Sequence, residues 1–327
     1  MRAFILALSF LLPSVVQAAC SGTDLRRSLT PEEQATVNAD LADMPYPEGN
    51  HWIARKDGKT LHVVGTMHIS DPRMDQVVSR LTPLIEKADS VLFEITVADM
   101  TAFQKGLAND MSPVLLTSGP TLIDMMSPEA WDRLTEYGPS SGFPPWMMAK
   151  MRPWFLSFAL AMPSCLSFGQ GKISNGLDHR LSAVATQNDI PQISLETMQD
   201  VINLFEKDTL EEQVRLLEVS LNALKMGEDG LETALTLYFE EAHAQAMSIS
   251  KIDFHRRMQL SHDEEAELWT NFEDDLLKHR NLAWLPGILN QPGDLNVVAV
   301  GAAHLSGEFG VLNLLESNGF SLERSTF

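Results

Sequence analysis

The sequence predicts an α/β fold: one central sheet drawing strands from both ends of the chain, with a long helical insertion between them. Three observations predict it. Leu61-His62-Val63-Val64, Ser90-Val91-Leu92-Phe93 and Val297-Val298-Ala299-Val300 are short apolar runs, the pattern of strands buried on both faces. Strand-like segments gather at 51–96, 190–195 and 295–325, and neither end alone holds enough of them for a stable sheet, so the two ends must meet. The stretch from about 97 to 290 is mostly of helical pattern.

The elements follow in order. Residues 19–50 form a leader. Thr30-Pro31-Glu32-Glu33 opens its helix, with Thr30 as N-cap, Pro31 at the first position and Glu33 closing a capping box, and Pro45 and Pro47 stop it. From 51 to 327 the chain reads as one domain, with the helical insert at about 97–290. Asp57-Gly58 joins strands His51 to Arg55 and Thr60 to Gly65 in a hairpin. A helix spans about 74–88, and 90–95 is a strand. A further helix starts at Gly176-Leu177-Asp178 and runs through Gln187, and Pro191 to Leu195 is a strand. Helices are expected at about 209–225, 229–247 and 262–290, a strand at 294–301, a helix at 305–317 and a last strand at 320–325.

A hydrophobic content of 44% supports a real core, and 21% charged residues argue against wholesale disorder. The net charge of −20, with no long block of Lys or Arg, argues against nucleic acid as a partner. Residues 1–18 read as a signal peptide: Arg2, an apolar stretch from Phe4 to Val16, and a small-residue cleavage site at Val16-Gln17-Ala18. No later segment has the length of apolar sequence a transmembrane helix needs, so the product is expected to be periplasmic or secreted. An oxidising compartment makes a Cys20–Cys165 disulfide the favoured reading of the two cysteines. The alternative of a lipidated Cys20 is weakened by Gln17-Ala18-Ala19, which lacks the usual leucine.

The chemistry gathers at two similar units. Gly65-Thr66-Met67-His68 and Gly301-Ala302-Ala303-His304 each follow a buried strand, where open α/β sheets collect their ligands. Glu94 ends the strand at 90–95, and a carboxylate there must be paired, protonated or bound to a metal. Two imidazoles and a carboxylate from three strand ends are a donor set for a divalent cation of Mn, Co or Zn type, with positions left open for water or substrate. Without metal, His68 or His304 would be the general base and Glu94 its orienting partner. Arg280-Asn281, late in a long helix, offers fixed donors for a substrate carbonyl or a carboxylate, though the residues alone favour a solvated helix end. Asp178 and Glu196 are explained locally, as an N-cap and a helix-start carboxylate. Glu308 would share a helical face with His304. The remaining histidines read as structural or solvated, and Met147, Met148, Met151 and Met162, near Trp154 and Phe155, as core or groove lining rather than a copper patch.

With Gly65-Thr66-Met67-His68, Leu92-Phe93-Glu94, Arg280-Asn281 and Val300-Gly301-Ala302-Ala303-His304-Leu305-Ser306-Gly307, the chain resembles the TraB/PrgY/GumN family, in its GumN-like branch. Gly176-Leu177-Asp178 and Leu195-Glu196-Thr197 fit weaker positions of the same pattern. The family is related to the Tiki metalloproteases and to the erythromycin-esterase/ChaN-like fold. The resemblance implies a mixed, largely parallel sheet flanked by helices. It also implies metal-dependent hydrolysis of a peptide or protein, with His68, His304 and Glu94 as metal ligands and catalytic groups and Arg280 and Asn281 beside them. That branch of the family lacks the Tiki membrane anchor, and Glu240-Glu241-Ala242-His243 departs from the family's glycine-aspartate pattern. The alternatives are a non-catalytic haem- or ligand-binding protein and a polysaccharide-export accessory protein.

Overall fold

A computed structural model of the 327-residue chain describes residues 22–138, 142–161, 175–221, 227–258 and 260–327. The expected signal peptide, Met162 and both cysteines of the expected disulfide lie outside the described residues. Among the described residues no helix is long and apolar enough to cross a membrane.

The expected α/β architecture is present. Six strands, β1 (His51–Lys56), β2 (Lys59–Thr66), β3 (Ser90–Phe93), β4 (Gln192–Ser194), β5 (Leu295–Gly301) and β6 (Ser321–Arg324), form one sheet in the order β4-β3-β5-β2-β1-β6. β4, β3, β5 and β2 are parallel, while β1 runs antiparallel to both β2 and β6. Asp57 and Gly58, both at positive φ, make the tight turn from β1 to β2. The pairing of β2 with β5 brings the two ends of the chain together, with Gly65 opposite Val300 and Thr66 opposite Gly301.

Alternation along the strands sends side chains to two cores. On one face Val64, Val91, Phe93, Val297 and Ala299 pack against helices Met74–Ile85 and Leu177–Gln187. On the other, Leu61, Val63, Leu92, Val298 and Val300 meet Trp284 and Ile288 of helix His279–Asn290 and Leu312 and Leu315 of helix Val311–Ser317. The helical region has a further core around Leu122, Leu134, Leu156 and Leu217. Met148 and Met151 are buried there, and Met147 packs against it, as space-filling side chains do. The leader helix Pro31–Ala42 has the expected capping box and buries Val37 against Leu237, Ile249 and Ile252.

Three helices differ from expectation. The single helix at 229–247 is two, Gly227–Phe239 and His243–Arg257. Glu241 breaks it at φ 60°, with its carbonyl accepting from the Gly49 N–H at 2.8 Å and its carboxylate from the Asn50 N–H at 3.0 Å. The stretch 305–310 is a loop rather than the start of a helix. Gly307 turns at φ 90° there, and its N–H donates to the Pro45 carbonyl at 2.9 Å. Glu308 is therefore exposed and shares no helical face with His304. The helix at 262–290 is continuous but contains a π-helical turn, Asp274–Lys278, just before Arg280.

Candidate active site

Because β3, β5 and β2 are neighbours and parallel, their carboxyl ends lie side by side, and Glu94, Gly301 and Thr66 emerge at one edge of the sheet. Glu94 Oε1 accepts from the Gly301 N–H at 2.6 Å and stands 3.9 Å from His304 Nε2. A Cβ on Gly301 would sit 3.1 Å from Glu94 Oε1, so the bare backbone is what admits the carboxylate.

Arg280 reaches the same point from the helix above. One terminal nitrogen, Nη2, donates to Glu94 Oε2 at 2.7 Å, and the other, Nη1, lies 3.2 Å from His304 Nε2. Its Nε is 3.1 Å from both oxygens of Glu196, and Nη2 also contacts Glu196 Oε1. The guanidinium lies over the Trp284 ring, 4.8 Å from its centroid, and the Trp284 indole N–H donates to Glu196 at 3.2 Å. The π turn ahead of Arg280 supplies the Leu276 carbonyl as a further acceptor, at 3.1 Å.

The neighbouring Asn281 fixes the tautomer of His304. Its Nδ2 donates to the carbonyls of His304 (3.2 Å) and Phe309 (2.9 Å), so its Oδ1 faces His304 Nδ1 at 2.7 Å and can only accept. His304 therefore carries its proton on Nδ1 and presents a bare Nε2 to Glu94 and Arg280. His68 is held in a similar way. Asp178 Oδ2 lies 3.3 Å from His68 Nδ1, and 3.0 Å from His179 Nδ1. Helix Leu177–Gln187 approaches the His68 loop through Gly176, where a Cβ would fall 2.4 Å from the Met67 carbonyl oxygen. Tyr238, fully buried, donates its hydroxyl to the Gly65 carbonyl at 2.9 Å and steadies the strand end before His68.

Burial works against a charged Glu94, and His304, His68, Arg280 and the Gly301 N–H overcome it, holding the carboxyl well below its usual range. Arg280 keeps its charge at every relevant pH and suffices for the direction. Burial lowers His304 to about 4, against the pull of Glu94 and with Arg280 and His68 adding to the shift, so the ring is neutral at pH 7. His68 goes the other way: its side chain is more than half exposed, and the Asp178 carboxylate beside it, with Glu94 behind, raises it above its ordinary value. The site therefore holds a neutral imidazole at His304 with a carboxylate and a guanidinium beside it.

The structure brings Glu94, Arg280 and His304 into contact, with Asn281 directly behind His304, while His68 follows the neighbouring strand end and is paired with Asp178. Sequence reading undervalued Asp178 and Glu196. Asp178 makes no N-cap bond, since Gly176 occupies that position, and its carboxylate is spent on the two histidines. Glu196 lies just ahead of the N-cap Thr197 and pairs with Arg280. Their weaker fits to the family pattern were the available signal. Other histidines have structural partners: His51 with His62 at 3.0 Å, His243 with Asn50 at 3.1 Å, and His255 with Glu265 at 2.8 Å.

The donor set suits a first-row divalent cation in its chemistry. Both histidines have Nδ1 beside an oxygen, the arrangement that orients metal-bound imidazoles. Among the described residues, however, no three His, Cys, Asp or Glu side chains are gathered as a ready cation site. Arg280 already contacts both Glu94 and His304 Nε2. An ion would have to take the Arg280 contact at His304.

The profile of the TraB/PrgY/gumN family matches residues 50–324. Two relatives, each called "Uncharacterized protein YbaP", from Escherichia coli (strain K12) and Shigella flexneri, are 25% identical over 270 residues, covering 80% of this chain and 91% of theirs. The matched span takes in all six strands, His68, Glu94, Arg280 and His304, and on that match the chain belongs to the TraB/PrgY/gumN family.

Proposed function

We propose that the crevice is the reaction centre of an exported, metal-dependent hydrolase of peptidase type, resembling the Tiki proteins. What supports this reading is the pairing of Glu94 with His304 at the carboxyl edge of the sheet, with His68 following the neighbouring strand end and each histidine's Nδ1 beside an oxygen. His68, His304 and Glu94 would hold the cation, which would supply a water acidic enough to attack a carbonyl at neutral pH. Arg280 and the Gly301 N–H hold Glu94 ionised and fixed. Water adds across the C–N bond, and the proton that the attacking water loses ends on the departing amine. The signal peptide would send the protein to the periplasm or outside the cell.

A metal-free hydrolase is the second reading. The contacts of Arg280 with Glu94 and His304 favour it, because the guanidinium already provides positive charge where an oxyanion could be stabilised. Turnover of a peptide library by wild type and His68→Ala, with and without chelator and added Mn, Co or Zn, separates the two. Loss of turnover on chelation and in the variant supports the metal reading. Loss in the variant alone supports the second. Activity indifferent to His68→Ala removes both.

A further inference from the structure

A cavity of about 240 Å³ lies on the far side of Asn281 from His304. Its apolar lining comes from Met44 after the leader helix, Met247 of helix His243–Arg257, Leu277 of the π turn and Phe309 of the loop after His304. It sits at the same edge of the sheet as the reaction centre. β1 begins there because His51 pairs with Val64, and the Gly307 N–H is bonded to the Pro45 carbonyl. Asn281 is the shared wall: it lines the cavity, binds Phe309 through its Nδ2, and holds His304 through its Oδ1. A chain lying across the carboxyl edge and passing His304 would meet this cavity next.

The rim says what such a chain would place there. Glu273, Asp274, Lys278 and Glu308 surround the opening. Lys278 is already paired with Asp274 at 3.1 Å and sits over the Phe309 ring at 4.7 Å. Glu273 and Glu308 have no ion-pair partner among the described residues, so the rim carries an uncompensated double negative charge above an apolar floor. Two methionines in that floor can adapt to a flexible aliphatic chain. A long aliphatic stem ending in a cation matches both layers, since it buries its methylenes and leaves its charge at the rim.

We infer that this cavity is a substrate subsite for a lysine or arginine side chain of a peptide, one step along the sheet edge from His304. Its place beside a reacting bond rests on the hydrolase reading above; what binds in it rests on the cavity alone. The experiment therefore has two arms. In the first, binding of three matched peptides, Ac-Ala-Ala-Lys-Ala-amide and its Leu and Glu counterparts, to the mature chain is followed by calorimetry. The Lys peptide should bind about tenfold more tightly than the Glu peptide and more tightly than the Leu peptide. Glu273→Gln/Glu308→Gln should reduce the Lys preference about fivefold, and Met247→Arg, which puts a competing cation in the cavity, should abolish it with an unchanged circular dichroism spectrum. In the second arm, library cleavage should show Lys or Arg enriched at one fixed distance from the cut, and the enrichment should fall in the same variants. Equal binding of the three peptides, a Leu preference, or a Lys preference indifferent to these substitutions overturns the subsite. Selective Lys binding with no cleavage of any peptide upholds the subsite and counts against the hydrolase reading.

Discussion

Replacing Arg280 with glutamine tests how the crevice is held together. Among the described residues Arg280 is the one cation paired with both Glu94 and Glu196, whose side chains are only 15% and 7% exposed. Without it each carboxylate keeps a single donor among those described above, the Gly301 N–H for Glu94 and the Trp284 indole for Glu196. Removing one partner of a buried ion pair typically costs about 3–5 kcal/mol, because the stranded charge stays desolvated. Arg280→Gln should lose about that much at pH 7, measured by urea unfolding. The pH dependence gives the sharper check. In the wild type Glu94 lies below its ordinary value of 4.5, so its stabilisation is present above that pH and is lost as pH falls below it. In the variant Glu94 loses the guanidinium that held it down, its carboxyl rises, and the folded state takes up protons at higher pH than the wild type does. The deficit against wild type should therefore narrow, to about half, between pH 7 and pH 5. Adding Glu196→Gln to the variant should recover about 1–2 kcal/mol at pH 7 by removing one stranded charge. A deficit below about 1 kcal/mol, or one that does not change with pH, would refute the reasoning.

Three further outcomes are expected. Asn281→Leu leaves the His304 and Phe309 carbonyls without their donor and frees the His304 tautomer; stability should fall by about 2 kcal/mol, and nitrogen-15 spectra of the His304 ring should show mixed tautomers rather than one. Gly176→Ala drives a Cβ against the backbone of Met67 and His68 and should cost about 1–3 kcal/mol in urea unfolding, with the His68 resonances shifted; a neutral effect would contradict the close approach. Burial lowers His243 from 6.5 to about 4, so its contribution is complete above pH 6.5 and disappears as pH falls from 6.5 to 4; His243→Asn should flatten the acid limb of the stability curve by up to about 3 kcal/mol, and equal limbs would exclude this histidine as a source of acid lability.

The fold was legible where the pattern is local and strong. Val63-Val64 and Val297-Val298 announce doubly buried strands, Asp57-Gly58 announces its turn, and the scarcity of strands at either end forces β2 to meet β5. The repeated glycine-to-histidine spacing then places His68 and His304 at the same edge, because the paired strands end in register. Asp178 and Glu196 were harder to read. An acid at a helix start has a sufficient local explanation, and only the sheet order reveals that these two face His68 and Arg280. The break at Glu241 carries no glycine or proline. It exists because residues 49 and 50, nearly two hundred positions away, bond to it. Glu308 misled for the opposite reason: periodicity continues past His304, but Gly307 and its bond to Pro45 turn the chain away.

The claim beneath all of this is that His68 and His304 act as one unit. A double-mutant cycle on peptide turnover measures it directly, with His68→Ala, His304→Ala and the pair assayed beside wild type. Each single change should lower kcat by about a thousandfold, and the double variant should be scarcely worse than either, because the second removal takes away nothing the first left working. Losses that multiply, or a single variant that keeps full turnover, would mean that the two histidines work apart.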